Sequence, residues 1–305
     1  MGHAAGDADR GADGSQGVRL LRAWCAAAAL SVVAASVAFG QTWRTLTSAR
    51  QAHGEDTLTV DVQYAAGRFT LGAADAGTLY HMDLQYDEDR FAPVRQYDPA
   101  TGTLHLGVRS RDGETHVSLG DHDSDTPPST LDLALEPGLP LSLDLDLGAA
   151  QADLDLGGLA VRRMRYRTGA STSRVRFGSA NTTACESLRF MAGAATFQVT
   201  GLGNADCRRL DFEGGVGEVT LDFSGAWRQS MDADVSVTLG SLHLALPRDV
   251  GVALKLDRLL ATFDHDGFVK RGDTYYSANY DTTRYHLTLN VTATFGGVDV
   301  TWIDR

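Results

Sequence analysis

The chain has 305 residues, which is enough for one large domain or two modest domains with buried cores. Apolar residues make up 43% and charged residues 22%, a balance typical of folded proteins and too apolar for a disordered chain. The formal net charge of −12 makes nucleic acids and anionic lipid surfaces poor partners, because both would be repelled. The 33 glycines and only 7 prolines favour many turns and uninterrupted strands.

The first 40 residues have the pattern of an export signal. Arg19 and Arg22 form a short basic segment, and the apolar, alanine-rich run 24–39 follows it, ending in small residues suited to cleavage before Gln41. A run of about 16 residues is short for a membrane span. We therefore expect export to the periplasm or cell surface, with no membrane span in the mature chain. Retention as an anchor and a true start near Val18 are left open.

Beyond residue 40, apolar and polar residues alternate, and helical signals are almost absent. Leucine alternates with Ser or Asp through residues 141–147, and shorter alternations occur at 58–62 and 242–246. A period of two indicates β-strands with one buried face. The sequence therefore predicts an all-β fold.

Glycines recur at a nearly regular spacing within this alternating sequence. Apolar residues precede each glycine by five and three positions and usually follow it by six, which predicts a unit of strand, glycine turn and strand. Stacked units bury a continuous core, so we favour a β-solenoid over the alternative, a β-sandwich of ordinary hairpins. The glycines placed in one register are Gly67, Gly148, Gly169, Gly193, Gly215, Gly240 and Gly296.

Two stretches interrupt the repeat, residues 80–140 and the aromatic-rich residues 257–286. The ends of a solenoid need covers, because an open end exposes the core and unpaired strand edges. We therefore predict a signal peptide at 1–40, an N-terminal β sub-domain at 41–140, and solenoid repeats with an aromatic C-terminal cap at 141–305.

Two cysteines occupy the same repeat position. Cys185 and Cys207 each lie eight residues before a glycine of the register, Gly193 and Gly215. Equivalent positions on neighbouring strands lie about 4.8 Å apart, within the Cα separation that a disulfide allows. In an oxidising compartment we expect these cysteines to bond; two unrelated buried thiols are the alternative.

Three segments combine glycine with alternating aliphatic or aromatic residues: 60–71, 145–159 and 266–280. They resemble the bacterial toast-rack proteins of the LiaF-like cell-envelope stress family, and the resemblance spans about residues 57–302. It implies a right-handed, stacked-strand β architecture outside the cytoplasm, and a role in envelope sensing, interaction or adhesion. The resemblance carries no catalytic residues over to this chain.

Acidic residues provide two candidate cation sites. Asp121, Asp123 and Asp125 alternate in a loop, and Asp264 and Asp266 flank a histidine. The loop lacks the glycine and distal glutamate of a calcium-binding EF-hand, and the second cluster has the composition of a turn. We therefore predict no metal site and no cofactor.

A second acidic set is the basis of an enzymatic alternative. Alternating aspartates on one strand point to the same outward face, and a run of arginines at 162–176 follows them. Such a face could belong to a polysaccharide lyase or hydrolase. Cross-strand Asp–Arg pairs on a solvent face are the interpretation we prefer, because fold analogy is weak evidence for activity. The aspartates are Asp144, Asp146, Asp153 and Asp155.

Four tyrosines in the predicted cap are the candidate binding residues, since aromatic rings stack on sugars; packing within the cap is the alternative. We predict a non-catalytic, exported cell-envelope module that binds a protein or a glycan. A carbohydrate-active enzyme and a purely structural surface protein are the alternatives. The four tyrosines are Tyr275, Tyr276, Tyr280 and Tyr285.

Overall fold

The computed structural model describes residues 42–111 and 129–304. The predicted export signal and the Asp121–Asp125 cluster lie outside these residues. Within them, no helix is long and apolar enough to cross a membrane. The described residues form strands β1 (Trp43–Gln51), β2 (Leu58–Ala73), β3 (Thr78–Asp87), β4 (Phe91–Asp98), β5 (Thr103–Ser110), β6 (Thr130–Leu135), β7 (Pro140–Asp155), β8 (Ala160–Arg176), β9 (Cys185–Thr200), β10 (Cys207–Asp222), β11 (Met231–Pro247), β12 (Gly251–Phe263), β13 (Phe268–Arg271), β14 (Thr274–Ser277) and β15 (His286–Ile303), with short 3-10 helices at Leu202–Ala205 and Tyr280–Thr282.

Eight strands form a parallel stack in the order β2-β7-β8-β9-β10-β11-β15-β12. All except β12 have 16 to 18 residues. Successive strands pair in parallel because each connection returns the chain to the side of the stack on which the previous strand began. The predicted all-β, stacked-strand solenoid is confirmed.

Each long strand folds back on itself near its middle. Phe190 and Phe197 in β9 would be about 23 Å apart on a straight strand, yet their ring centroids are 5.5 Å apart. In β8, Tyr166 and Ser173 are equally separated in sequence, and their hydroxyl oxygens lie 2.6 Å apart. The half before the bend (the first leg) therefore faces the half after it (the second leg), and the core lies between them.

The glycines lie inside these continuous strands, so the predicted strand–turn–strand unit is wrong in this respect. They also occupy two rungs instead of one, where a rung is a set of register partners that runs across neighbouring strands. Gly67 pairs with Ala150 and not with Gly148. The two rungs flank the outward-pointing residue at the bend, and both bring backbones close together. Local sequence therefore looks alike at either rung. One rung holds Gly148, Gly169, Gly193 and Gly215, and the other holds Gly67, Gly240 and Gly296.

Close backbone contact explains why the bend requires glycine. Gly240 has a φ of +137°, and a Cβ atom there would collide with the carbonyl oxygen of Gly217 on the neighbouring strand. A Cβ atom on Gly215 would lie 2.6 Å from the carbonyl oxygen of Gly193. Side chains at these positions would push the coils apart, so the bend depends on their absence.

The two ends of the stack are built differently. At the N-terminal end, β5 pairs with the first leg of β2 and β6 with its second leg, while β4, β3 and β1 extend these pairs in antiparallel fashion. At the C-terminal end, β15 lies between β11 and β12. After β11 the chain forms β12 one position further along the stack, and β15 later occupies the position between these two strands. The β13–β14 hairpin pairs with Ala253–Lys255 of β12. The stack thus begins at β2, within the predicted N-terminal sub-domain.

Cys185 and Cys207 form a disulfide between the first residues of β9 and β10. They are register partners, their Cα atoms are 4.3 Å apart, and both side chains are buried. The bond ties two neighbouring coils at the start of the first leg, as their equivalent repeat positions predict.

Candidate binding surface

Charged residues form a row across the outer side of the first legs, here called the first-leg face. Asp144, Arg165, Arg189, Asp211 and Asp234 come from five successive strands, β7 to β11, and are register partners in turn. Because neighbouring strands lie about 4.8 Å apart, unlike charges in such a row can pair across strands. The repeat therefore sets these charges side by side.

One half of this face is a continuous ion-pair network. Arg209 lies 2.9 Å from Asp211 and 2.7 Å from Asp234, and Arg189 lies 3.3 Å from Asp211. Asn290 donates to Asp234 at 2.8 Å and extends the network to β15. These acids are therefore bound within the protein and are not free pairs of carboxylates.

The four candidate catalytic aspartates are divided between opposite faces. Asp144 and Asp146 lie on the first leg of β7, where Arg167 is 3.8 Å from Asp144 and 2.9 Å from Asp146. Asp153 and Asp155 lie on the second leg of the same strand, whose outer side faces the other way. Arginines of β8 approach these two as well, at 4.0 and 3.7 Å. The structure therefore does not bring the four carboxylates together.

The ion pairs lower the pKa values of two carboxyl groups and so favour their charged forms. Burial by itself raises the pKa of Asp211, but hydrogen bonds and charge from Arg209 and Arg189 outweigh it, and the pKa lies below its ordinary value. Hydrogen bonds from Arg163 and Arg162 likewise lower the pKa of Glu186. A lowered pKa suits a structural anion and opposes a general acid, which needs a raised pKa.

A shallow groove of about 750 Å³ crosses the first legs of β7 to β11 beside the bend. Its floor is the glycine rung, where the missing side chains leave the backbone uncovered. Polar side chains line its walls, together with the half-buried Met191. The lining residues are Asp146, Arg167, Thr168, Gly169, Met191, Ala192, Gly193, Glu213, Gly214, Gly215, Ser236 and Thr238.

The groove offers both donors and acceptors to a ligand. The Arg167 guanidinium lies at one end, and its buried Nε atom has no hydrogen-bond partner within the described part of the chain. The Glu213 carboxylate and the Ser236 and Thr238 hydroxyls lie on the other strands. This groove was not predicted from the sequence. The signal that could have found it is the run of small residues beside outward-pointing polar ones.

The four candidate tyrosines divide into separate aromatic clusters of the cap. Tyr275 lies 5.3 Å from the Phe263 ring, within a cluster that extends to Phe268 and Trp302. All four tyrosines are half-buried. Tyr276 and Tyr280 contact each other at 4.8 Å, Tyr280 also contacts His286 at 4.7 Å, and the Arg284 guanidinium covers Tyr285 at 5.1 Å.

The remaining acidic candidate is a turn. The backbone N–H of Asp266 donates to the Asp264 carboxylate at 3.3 Å, and the Trp302 indole N–H donates to the Asp266 carbonyl oxygen at 3.0 Å. Within residues 42–111 and 129–304, no group of three His, Cys, Asp or Glu side chains is arranged to hold a metal ion.

Comparison with known families decides the relationship. Residues 40–187 match the family model described as the N-terminal domain of toast_rack, DUF2154. These residues form a toast-rack N-terminal domain. The match confirms the resemblance inferred from sequence and runs through the first half of the stack into β9. No curated protein matches the chain.

Solved structures give a more distant likeness to this chain. A candidate cell adhesion protein from Clostridium sporogenes overlays with a TM-score of 0.46 at 13% identity, over 86% of this chain and 100% of its own. A candidate adhesin from Bacteroides fragilis overlays with a TM-score of 0.38 at 10% identity, over 85% of this chain and 97% of its own.

Proposed function

We propose that the protein is an exported, non-catalytic binding module of the cell envelope, and that it holds an extended glycan in the groove beside the bend. The observation that carries the proposal is the open trough across five strands, with a glycine floor and polar walls. The disulfide between Cys185 and Cys207 supports export, because cytosolic thiols are kept reduced.

The electrostatics of the outer faces favour binding without turnover. Glycosidases need two carboxyl groups in defined proximity, one of them a general acid with a raised pKa. Here Asp144, Asp146, Asp153 and Asp155 each have an arginine within 4.0 Å, and they lie on two faces. As formed by the described residues, the groove is also wide open and offers no water-excluding cleft.

The walls of the groove match a neutral or amino-containing glycan. Carboxylates of Asp146 and Glu213 can accept hydrogen bonds from sugar hydroxyl groups, and the Arg167 guanidinium can donate to sugar oxygens. The bare glycine backbone allows a flat ring to approach closely. A strongly anionic polymer would be opposed by the net charge of −12.

Binding to an array of envelope polysaccharides and peptidoglycan fragments tests the proposal. We expect the full-length protein to bind at least one glycan, and Arg167→Gln to weaken that binding about tenfold, the loss of one charged hydrogen bond. Arg174→Gln is the matched control. It makes the same change on the same strand, in an exposed ion pair on the second leg. Equal effects of both variants would place the ligand elsewhere.

A parallel depolymerisation assay separates binding from catalysis. Release of oligosaccharides that stops in Asp153→Asn or Asp155→Asn would replace the binding module with a carbohydrate-active enzyme. If the wild type bound an envelope protein and none of the glycans, the protein would still be a non-catalytic binding module. The proposal of a glycan ligand would then be wrong.

The cap tyrosines remain a second proposed contact. Tyr276 has a half-buried ring that touches Tyr280, with the Arg271 guanidinium 5.1 Å from its centre. If this ring stacks on the glycan, Tyr276→Ala weakens binding while Tyr276→Phe preserves it, because stacking needs the ring and not the hydroxyl group. Unchanged affinity in Tyr276→Ala would assign the ring to cap packing alone.

A further inference from the structure

β12, the last strand of the parallel stack, has a free edge along part of its length. β15 pairs with residues 251–263 of β12 on one side, whereas β14 pairs on the other side only with Ala253–Lys255. Along the part of the chain that the structure describes, no strand pairs with the outer edge of residues 257–263. An edge of this kind presents unpaired backbone N–H and C=O groups that another strand can bind.

From Leu259 to Phe263, this edge lacks the charges and prolines that usually protect one. Leu259 and Leu260 are 72% and 68% exposed, more than any other large apolar side chain in the described residues. Residues 259–263 contain no charge and no proline. One edge strand at the opposite end of the stack, β4, carries Pro93 and Arg95, which discourage pairing. The C-terminal edge is therefore better suited to a partner strand than β4 is.

The sequence of this edge is complementary to itself. Its two charges, Asp257 and Arg258, lie at one end and have opposite signs. Antiparallel pairing centred on Leu260 places Asp257 opposite Phe263 and Arg258 opposite Thr262, so no like charges meet across the strands. The same alignment places Leu260 beside its own copy, where both side chains lose contact with water.

We propose that a second copy of this chain pairs antiparallel with residues 257–263, forming a two-fold dimer at the C-terminal end of the stack. The contact uses the same patch on both copies and closes on itself, as isologous interfaces do. It extends the sheet across the dimer and covers Leu259 and Leu260. It also gives hydrogen-bond partners to the backbone N–H and C=O groups of the free edge. The glycan-binding proposal is independent, because the groove lies on β7 to β11.

One contact in the single chain competes with this pairing. The Arg258 guanidinium donates to the Ala261 carbonyl oxygen at 3.2 Å, and so occupies an acceptor on the strand that carries the free edge. A second copy must displace this side chain to use the acceptor. We therefore expect Arg258→Ala to strengthen the dimer.

Sedimentation equilibrium of the full-length protein, from low micromolar to millimolar concentration, is the test. We expect a monomer–dimer equilibrium whose dissociation constant rises about tenfold or more in Leu260→Lys, because a charge is placed in the seam. Leu239→Lys is the matched control. Leu239 and Leu260 both pair with Phe295, from opposite sides, but Leu239 is one of the exposed side chains inside the stack and not on its edge.

Each outcome decides the proposal. A dimer weakened by Leu260→Lys, unaffected by Leu239→Lys and strengthened by Arg258→Ala supports it, provided that all variants keep the wild-type melting temperature. A monomer at every concentration overturns it. Open-ended polymers would instead indicate end-to-end stacking of the two different stack ends. Equal sensitivity to both lysine variants would move the contact to the exposed apolar row at the bend.

Discussion

Phe190 and Phe197 belong to the same strand, yet their ring centroids lie 5.5 Å apart across the core. Phe197 also contacts Tyr166 at 5.6 Å and Phe212 at 5.3 Å, on the two neighbouring strands. This one ring therefore joins the two legs of its own coil and the coils on either side. The contact exists only because the strand bends back on itself.

Replacing Phe197 by Ala should lower the free energy of unfolding by about 3–5 kcal/mol, because a fully buried aromatic side chain is lost from the centre of the core. Urea denaturation of the wild type and the variant measures the difference. Phe197→Leu, which keeps most of the volume, should lose less. Equal losses in both variants would contradict a role based on filling space.

Gly240→Ala should destabilise the bend by more than about 1 kcal/mol, since the added Cβ meets the Gly217 carbonyl at a positive φ. Gly72→Ala is the control, because Gly72 has open space around its Cα and no positive φ. Thermal unfolding of both variants checks the prediction. If Gly240→Ala kept the wild-type melting temperature, the close approach of backbones at the bend would be refuted.

Removing the disulfide with Cys185→Ser and Cys207→Ser should lower the free energy of unfolding by about 2–4 kcal/mol, because the open chain gains conformational freedom when unfolded. Chemical denaturation with and without a reducing agent measures it. The reductant should lower the stability of the wild type and leave the double variant unchanged. Loss of stability in the variant alone would point to packing of the sulfur atoms instead.

The lowered pKa of Asp211 predicts a pH dependence. A carboxyl whose pKa is lower in the folded state stabilises the fold above its unfolded pKa, and this contribution is lost as the pH falls through the folded pKa. Asp211→Asn should therefore lower the melting temperature at neutral pH, and the difference from wild type should shrink below about pH 4. Asp75→Asn is the control, because Asp75 is exposed between β2 and β3. If the difference in melting temperature grew as the pH fell, the pKa of Asp211 would not be lowered in the folded state.

The sequence by itself determined the strands, the stacking and the disulfide. Strict alternation at 141–147 can bury one face only as a strand, and the equal distance of Cys185 and Cys207 from their glycines placed them side by side. These features are local or follow from the repeat, so they survive without knowledge of long-range contacts.

Only the tertiary structure decided where the repeat bends and which polar residues meet. Gly67 and Gly148 share a local pattern but lie on different rungs, because inter-strand register depends on packing across the whole stack. Asp146 and Asp153 occupy one strand, yet the bend turns their side chains to opposite faces. The groove, and the free edge left where β15 fills the skipped place, depend on topology, which no single strand encodes.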